Sequence, residues 1–505
     1  MAGILRILLC IPILFLVVSS PQARESAVID LTILHVNDTH GHILPHIRKS
    51  IDRKRPVGGA EYLAKMISDE RAENPGGTLL LSAGDMFQGT PISDLFHGKP
   101  VIELMNDMKF DAMTLGNHEF DWGLDALKDL ETTAHFPFLS ANVVSRNSGA
   151  PPWVKPYILV ERQGLKIAII GVTTPETNAL TKPGRIGPYR FSDPEKALPE
   201  KIRAVRKEGA RFVILLSHLG LEADIDLARI VGGIHVIVGS HSHTAVKTPV
   251  LIGDTIVVQA GCCGHYLGAL KLQVDKDTGR ILKHTQGREL RKVLSGPDDP
   301  RDEGARKIVS NYHNQIKEEF GRVVGETTVN LVRRPYHESN VGNLVCDAMR
   351  AAAGADIAFQ NSGGIRTNIS KGRITLEQVY TLLPFDNLLI SMDLTGEQIL
   401  EILEQSATLE HGILQVSGLR VVIQKEKPKG MRVQQVFVGD RLLDPKKTYR
   451  VTTNDFLAAG GDKYATFKEG KKAAFGETIR DQFIKYLREH SPVNPRVEGR
   501  ILIRS

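Results

Sequence analysis

From Leu31 to about Leu290 the chain repeats one rhythm, and that rhythm limits the fold more than any other feature. Short, β-branched-rich apolar runs (LTILHVN, TLLLSAGD, FDAMTLGN, KIAIIGVT, RFVILLSH and IHVIVGSH) alternate with amphipathic stretches such as GGAEYLAKMISDERAEN. Apolar runs of this length, bounded by turn residues, read as buried strands, and the stretches between them carry helical spacing. Strands alternating with helices predict a layered α/β domain.

The residues at the end of each run are unusual. ILHVN leads to Asp38 and His40, TLLLSAG to Asp85, AMTLG to Asn117 and His118, FVILLS to His218, and HVIVGS to His241 and His243. In α/β sheets the carboxyl ends of strands gather on one edge, where ligands bind. Taken singly, an Asp or His at a strand end is a cap or turn residue. Taken together, Asp38, His40, Asp85, Asn117, His218, His241 and His243 are candidates for one metal site. Carboxylate, amide and imidazole donors without thiolate suit Zn²⁺ or Mn²⁺, with Co²⁺ or Mg²⁺ as further options. Seven donors exceed the needs of one tetrahedral ion, so two divalent ions sharing a carboxylate are expected.

Charge decides what such a centre attracts. Two divalent ions bring four positive charges and the two aspartates return two negative ones, leaving about +2, which suits a phosphate anion and acidifies bound water into a nucleophile. Asn117 keeps that charge because it is neutral. His118, adjacent to Asn117, is better placed to meet phosphoryl or leaving-group oxygens than to share its neighbour's metal. Asp121, three residues on, can hold the tautomer of His118. Glu119 reads as structural.

Residues 297 to 325 change character. Ala305, Ile308, Val309, Tyr312, Ile316 and Phe320 fall at helical spacing, acids lead the segment and glycine follows it, so one amphipathic helix joins two domains. Beyond Glu326 the pattern is α+β, with helix-like SNVGNLVCDAMRAAAG and GEQILEILEQSAT and strand-like RVQQVFV and YRVTTND. PFDN offers Phe385 and Asn387, and NDFLAAGGD offers Phe456 and Asp462. Two aromatics on turns beside polar groups suit a flat base stacked between rings. Composition alone favours reading them as core phenylalanines.

The N-terminus MAGILRILLCIPILFLVVSSPQARES has a basic residue, an apolar stretch from Ile7 to Val18 and small residues before Ala23. That is a cleavable secretory leader, too short to span a bilayer. Without it, Cys262, Cys263 and Cys346 remain, which is no disulfide framework. A net charge of +6 spread over 505 residues gives no support to a nucleic-acid polymer or a membrane surface as partner.

In order and spacing, ILHVNDTHGH, LLLSAGDMFQGTP, TLGNHEFDWG, SHLG and VGSHSHT resemble the metallophosphoesterase domain of the 5'-nucleotidase family, and the resemblance runs from about residue 30 to 500. It implies an N-terminal four-layer αββα calcineurin-like sandwich, a helical linker and an α+β substrate domain. The corresponding bounds are a leader at 1–23, a catalytic domain at 28–295, a linker at 296–325 and a nucleotide-binding domain at 326–505. It further implies that Asp38, His40, Asp85 and His243 hold one ion and that Asp85, Asn117, His218 and His241 hold the other. By the same resemblance His118 and Asp121 form the catalytic dyad, Phe385 and Phe456 sandwich the base, Asp462 binds ribose, and Asn361 and Arg366 in NSGGIR contact nucleoside and phosphate. One departure stands out: Pro335 and His337 occupy the region where relatives place a further arginine, so either Arg333 or Arg334 substitutes from one turn earlier, or phosphate binding is weaker and substrate choice altered. The implied activity is hydrolysis of 5'-nucleotides by metal-bound hydroxide, with UDP-sugar cleavage as an extension and a periplasmic or secreted location. The alternatives are a 2',3'-cyclic-nucleotide phosphodiesterase with 3'-nucleotidase activity, a sulfur-oxidation hydrolase of the same fold, and an inactive nucleoside-binding scaffold.

Overall fold

The computed structural model describes residues 27–48, 51–145, 151–181, 184–284, 290–385 and 387–504. The leader expected at 1–23 lies outside them. The apolar runs become the central strands of two sheets. In the first, Val28–Val36, Thr78–Ser82, Ala112–Thr114 and Phe138–Leu139 run parallel, and Tyr266–Asp275 pairs antiparallel with Val28–Val36. In the second, Leu165–Thr173, Phe212–His218, Val236–Gly239 and Thr255–Gln259 run parallel, flanked by antiparallel edge strands.

Side-chain alternation explains the layering. Leu31 and Ile33 of the first strand point into one apolar cluster with Leu79, Leu81, Ile167, Ile214, Leu216 and Val238, which fills the space between the sheets. Leu34, Val36 and Leu80, one residue out of phase, join the cluster under helices Ala60–Glu73 and Lys99–Asp107. On the outer face of the second sheet, Val213, Leu215 and Ile237 pack with Leu198, Ile202, Val205 and Leu227 of helices Pro194–Lys207 and Leu221–Ile230. Strands apolar on both faces must be covered on both faces, which yields the αββα sandwich.

The expected linker helix runs Glu303–Phe320, and the Asp302 side chain caps it by accepting from the Ala305 amide. Ala305, Val309, Tyr312, Ile316 and Phe320 are buried, and Ile308 is partly buried. The helix is a packed wedge. Tyr312 donates its hydroxyl to Glu103 at 2.7 Å, while Phe320 meets Tyr380 of the second half edge-on at 4.9 Å. The cluster behind the first sheet therefore continues into Val341, Val345, Leu382 and Phe483.

In the second half, a mixed sheet runs in the order Leu414–Ser417, Ile357–Asn361, Thr448–Asn454, Leu388–Thr395 and Lys471–Thr478. A smaller sheet carries Val433–Val438 and Leu419–Gln424. Helices Asn340–Ala353 and Gly396–Ser406 fall where their spacing put them, capped by Ser339 and by a Thr395/Gln398 capping box.

Candidate active site

The parallel strands deliver their polar ends to one edge, and the backbone there is strained. Asp38, His40, Asp85, His241 and His243 all have positive φ, between 48° and 72°. Non-glycine residues pay for that conformation and keep it where the surroundings enforce it, commonly at functional sites. Glycines make the crowding possible: a Cβ on Gly116 would lie 2.2 Å from an Asp85 carboxylate oxygen and 2.6 Å from the His218 ring.

Six of the seven residues converge, and Asn117 lines the same cleft as Asp85. Asp38, His40 and His243 form one set of donor atoms within mutual reach, and Asp85, His218 and His241 form a second. His40 Nε2 stands 3.0 Å from His243 Nε2, and His243 Nε2 is 3.6 Å from Asp38 Oδ1. Asp85 Oδ2 lies 3.2 Å from His218 Nε2 and 3.9 Å from His40 Nε2, between the two sets. Asp38 is held by the His241 amide, the Ser240 hydroxyl and the Asn37 amide group.

Two features test whether cations fit. First, His218 Nδ1 sits 2.8 Å from the Ala83 carbonyl and His40 Nδ1 3.0 Å from the Gln88 carbonyl. Each Nδ1–H then donates to a carbonyl, and each Nε2 turns its lone pair inward, as metal-ligating imidazoles do. Second, the buried atoms His218 Nε2 and Asn117 Oδ1 make no hydrogen bond among the described residues. Burial works against charge on His218, yet the Asp85 and Asp38 carboxylates push its pKa up to about 10. The same negative field around Nε2 favours a metal cation there. Burial also opposes the charge of Asp85, but His218, His118 and His40 keep its carboxyl well below the usual range. The residues fit divalent metal ions.

Glu119 explains how the loops stay in place. Its carboxylate accepts from the amides of Asp85, Met86 and Gly116, at 2.8, 2.8 and 2.6 Å. Burial, followed by the neighbouring Asp85, raises its pKa to about 7. His118 Nδ1 is 2.6 Å from Asp121 Oδ2. Burial opposes charge on this ring too, but Asp121 and Asp85 raise its pKa above the ordinary histidine value.

Above this floor lies a cleft of about 300 Å³ between the two halves of the molecule. Asp85, Asn117, His118, Asp121, His241 and His243 line one wall, while Asn361, Arg366, Phe385, Asn387, Phe456 and Asp462 line the other. Asp38, His40 and His218 are buried beneath it. Phe385 stacks at 5.8 Å over His118, and the Arg366 guanidinium is 5.9 Å from the Phe385 ring. Asn361 donates to Asp462 at 3.0 Å and accepts from Asn454 at 2.9 Å. Phe456 lies across Gly461, where a Cβ would be 2.4 Å from the ring.

Neither Arg333 nor Arg334 lines the cleft. Arg334 is exposed and does not line the cleft. Arg333 is half-buried; burial, then the charges of Arg366 and Arg48, lower its pKa to about 10. Its backbone amide is tied to Asn368 at 2.7 Å, and the next turn points Arg334 to solvent. Trp122, Glu176, Arg185 and His411 also line the cleft and were not anticipated. Glu176 was within reach of the strand-end argument, since it follows strand Leu165–Thr173 and approaches His241 Nε2 at 3.8 Å. Trp122 directly follows the dyad aspartate. Arg185 and His411 sit in loops without periodicity, where no signal marks them.

A strained, metal-fitting strand edge with a His–Asp pair beside it defines a phosphoester hydrolase. The calcineurin-like phosphoesterase model matches residues 31–245, and the model of the 5'-nucleotidase C-terminal domain matches residues 323–469. The chain is 33% identical to a snake venom 5'-nucleotidase of Crotalus adamanteus, over 94% of this chain and 88% of that protein. It is also 33% identical to the trifunctional nucleotide phosphoesterase protein YfkN of Bacillus subtilis, over 96% of this chain but only 35% of that larger protein. The crystal structure of a 5'-nucleotidase precursor from Thermus thermophilus superposes with a TM-score of 0.86 at 35% identity, covering 94% of this chain and 99% of that one. The chain belongs to the 5'-nucleotidase family. Among the described residues no helix is long and apolar enough to cross a membrane.

Proposed function

We propose that the protein is an exported 5'-nucleotide phosphohydrolase that works with two divalent ions, Zn²⁺ or Mn²⁺. One observation carries this reading: a single cleft has the imidazole and carboxylate cluster on one wall and the aromatic, amide and guanidinium set on the other. Export rests on the leader pattern of residues 1–23. The division of labour follows the two halves, with a catalytic domain at 28–295, a linker at 296–325 and a nucleotide-binding domain at 326–505.

Asp38, His40, Asp85 and His243 would hold one ion, and Asp85, Asn117, His218 and His241 the other. Bound there, the ions would polarise phosphoryl oxygens and acidify water. The chain's own groups do the rest. Arg366, on the facing wall, offers a planar guanidinium to the phosphoryl oxygens. Asp121 fixes the Nδ1 proton of His118, so Nε2 remains to meet the leaving oxygen, and the raised pKa keeps a proton ready to hand over. Phe385 and Phe456 supply flat faces for the base, and Asp462, oriented by Asn361, accepts from the ribose hydroxyls. Asn387 is buried at the edge of the same pocket.

The name of the Bacillus relative bears on the range of substrates, since a trifunctional nucleotide phosphoesterase acts on more than one phosphoester. AMP, UDP-glucose and a 2',3'-cyclic nucleotide therefore belong in one assay, with phosphate release measured in Mn²⁺ or Zn²⁺ and again after chelation. The proposal expects AMP turnover that chelation abolishes and His118→Ala cripples. Wild-type turnover no better than that variant would refute it.

A further inference from the structure

The bend between strands Thr255–Gln259 and Tyr266–Asp275 reads GCCGH, and the chemistry above uses neither thiol. Cys262, Cys263 and His265 present Sγ, Sγ and a ring nitrogen all within 4.8 Å of one another. The two Sγ atoms are 2.8 Å apart. From the facing loop, His46 Nε2 comes within 2.7 Å of His265 Nε2, and the His42 ring lies 5.0 Å beyond it. Two thiols and two imidazoles thus converge from two loops far apart in sequence.

The loop is fixed before any ligand arrives. The Cys263 amide donates to the Asp38 carbonyl at 2.7 Å, and the Asn37 side chain clasps the loop through Gly261 and Ala260, at 2.7 and 2.8 Å. Cys263 has φ +60°, between glycines at +71° and +65°. A cysteine forced into that region stores strain, and strain of this kind persists where the surroundings over-determine it. Both cysteines and His46 are half-buried, so solvent reaches them, while His265 is buried.

We propose that Cys262, Cys263, His265 and His46 form a third cation site, for a borderline ion of the Zn²⁺ class. Two sulfur and two nitrogen donors match its tetrahedral preference, and donor atoms around such an ion stand about 3–4 Å apart. The three donors Cys262, Cys263 and His265 would need to open by only about 1 Å to admit it, and His46, now in contact with His265, would swing in as the fourth. On binding, two sulfur–metal bonds form, each thiol gives its proton to solvent, and no electron is transferred. The site differs from its neighbour in ligand chemistry, since Asp38, His40, Asp85, Asn117, His218, His241 and His243 include no sulfur. It shares a border with that site, because Cys262 hydrogen-bonds His243. For that reason the test reads metal content and spectrum, not turnover.

The reduced full-length chain, freed of metal, is titrated with Co²⁺ alone. A thiolate-to-cobalt charge-transfer band should rise and saturate by three equivalents, with three cobalt ions per chain by elemental analysis. The Cys262→Ser/Cys263→Ser variant should lose the band and hold two ions, with a circular-dichroism melt reporting its fold. His46→Ala leaves the strained loop untouched and should weaken the cobalt affinity of the band by about tenfold or more. The site is refuted if reduced wild type gives no band, or if the band survives loss of both thiols. It is refuted equally if mass spectrometry finds the two cysteines joined to each other and the reduced chain still takes only two ions. None of these results touches the phosphohydrolase reading, which needs no thiol.

Discussion

The two walls of the cleft are built by different means. On the first, strand ends with left-handed backbone turn five of seven candidate donors inward, and Glu119 pins three amides of the loops that carry them. On the second, turns and glycines leave room for side chains: Phe456 rests on Gly461, and Asp462 is steered by Asn361. The first wall is therefore a rigid electrostatic trap, where losing one donor collapses a shared field. The second is a set of separable contacts, where each loss costs its own increment. On the proposed function, reactivity belongs to the first wall and choice among substrates to the second.

Mutation can break that contrast or sharpen it. The largest effect is expected at Asp85, the carboxylate between the two donor sets. Asp85→Ala should abolish turnover on every phosphoester and lower the bound metal counted by elemental analysis; retained stoichiometry would show that the wall is not one unit. His118→Ala should lower kcat by about 10²–10⁴-fold with metal content unchanged, as the proposed proton-moving role requires. Phe456→Ala should cost about 1–3 kcal/mol, read as a raised KM for AMP, and leave hydrolysis of a phosphate ester without a base unaffected. An equal loss on both substrates would place Phe456 in the fold and not in recognition.

The smallest expected effect lies behind the first wall and concerns stability. Asp224, on helix Leu221–Ile230, accepts from Ser217 and is sealed against Gly239. Burial pushes its pKa up to about 8. The folded state keeps a proton that the unfolded chain releases near pH 4. Its contribution is therefore fully present below that value and is lost as pH rises through about 8. Thermal melts should show wild type losing stability over that window and Asp224→Asn flattening the slope; parallel profiles would refute the assignment.

The first wall was largely legible in the sequence because strand, turn and polar residue are consecutive there. A buried parallel strand announces itself by composition, and its carboxyl end is then fixed in space, so Asp38, Asp85, Asn117, His218 and His241 could be gathered without coordinates. The second wall was suggested by its paired aromatics but singled out only through resemblance, because Phe385 and Phe456 sit on turns whose placement depends on how the two halves pack. The same gap explains Arg334: counting residues along a loop does not say which side of it faces the cleft, and here the turn sends that guanidinium to solvent. The wedge role of helix Glu303–Phe320 was hidden as well, because its period shows one apolar stripe and not that both halves share it. The positive φ values of the donors have no counterpart in residue type.

The most direct test is anomalous diffraction from crystals soaked in Mn²⁺. Two peaks flanking the Asp85 carboxylate, one beside Asp38, His40 and His243 and the other beside Asn117, His218 and His241, are the predicted result. A single peak, or manganese bound away from Asp85, would contradict it.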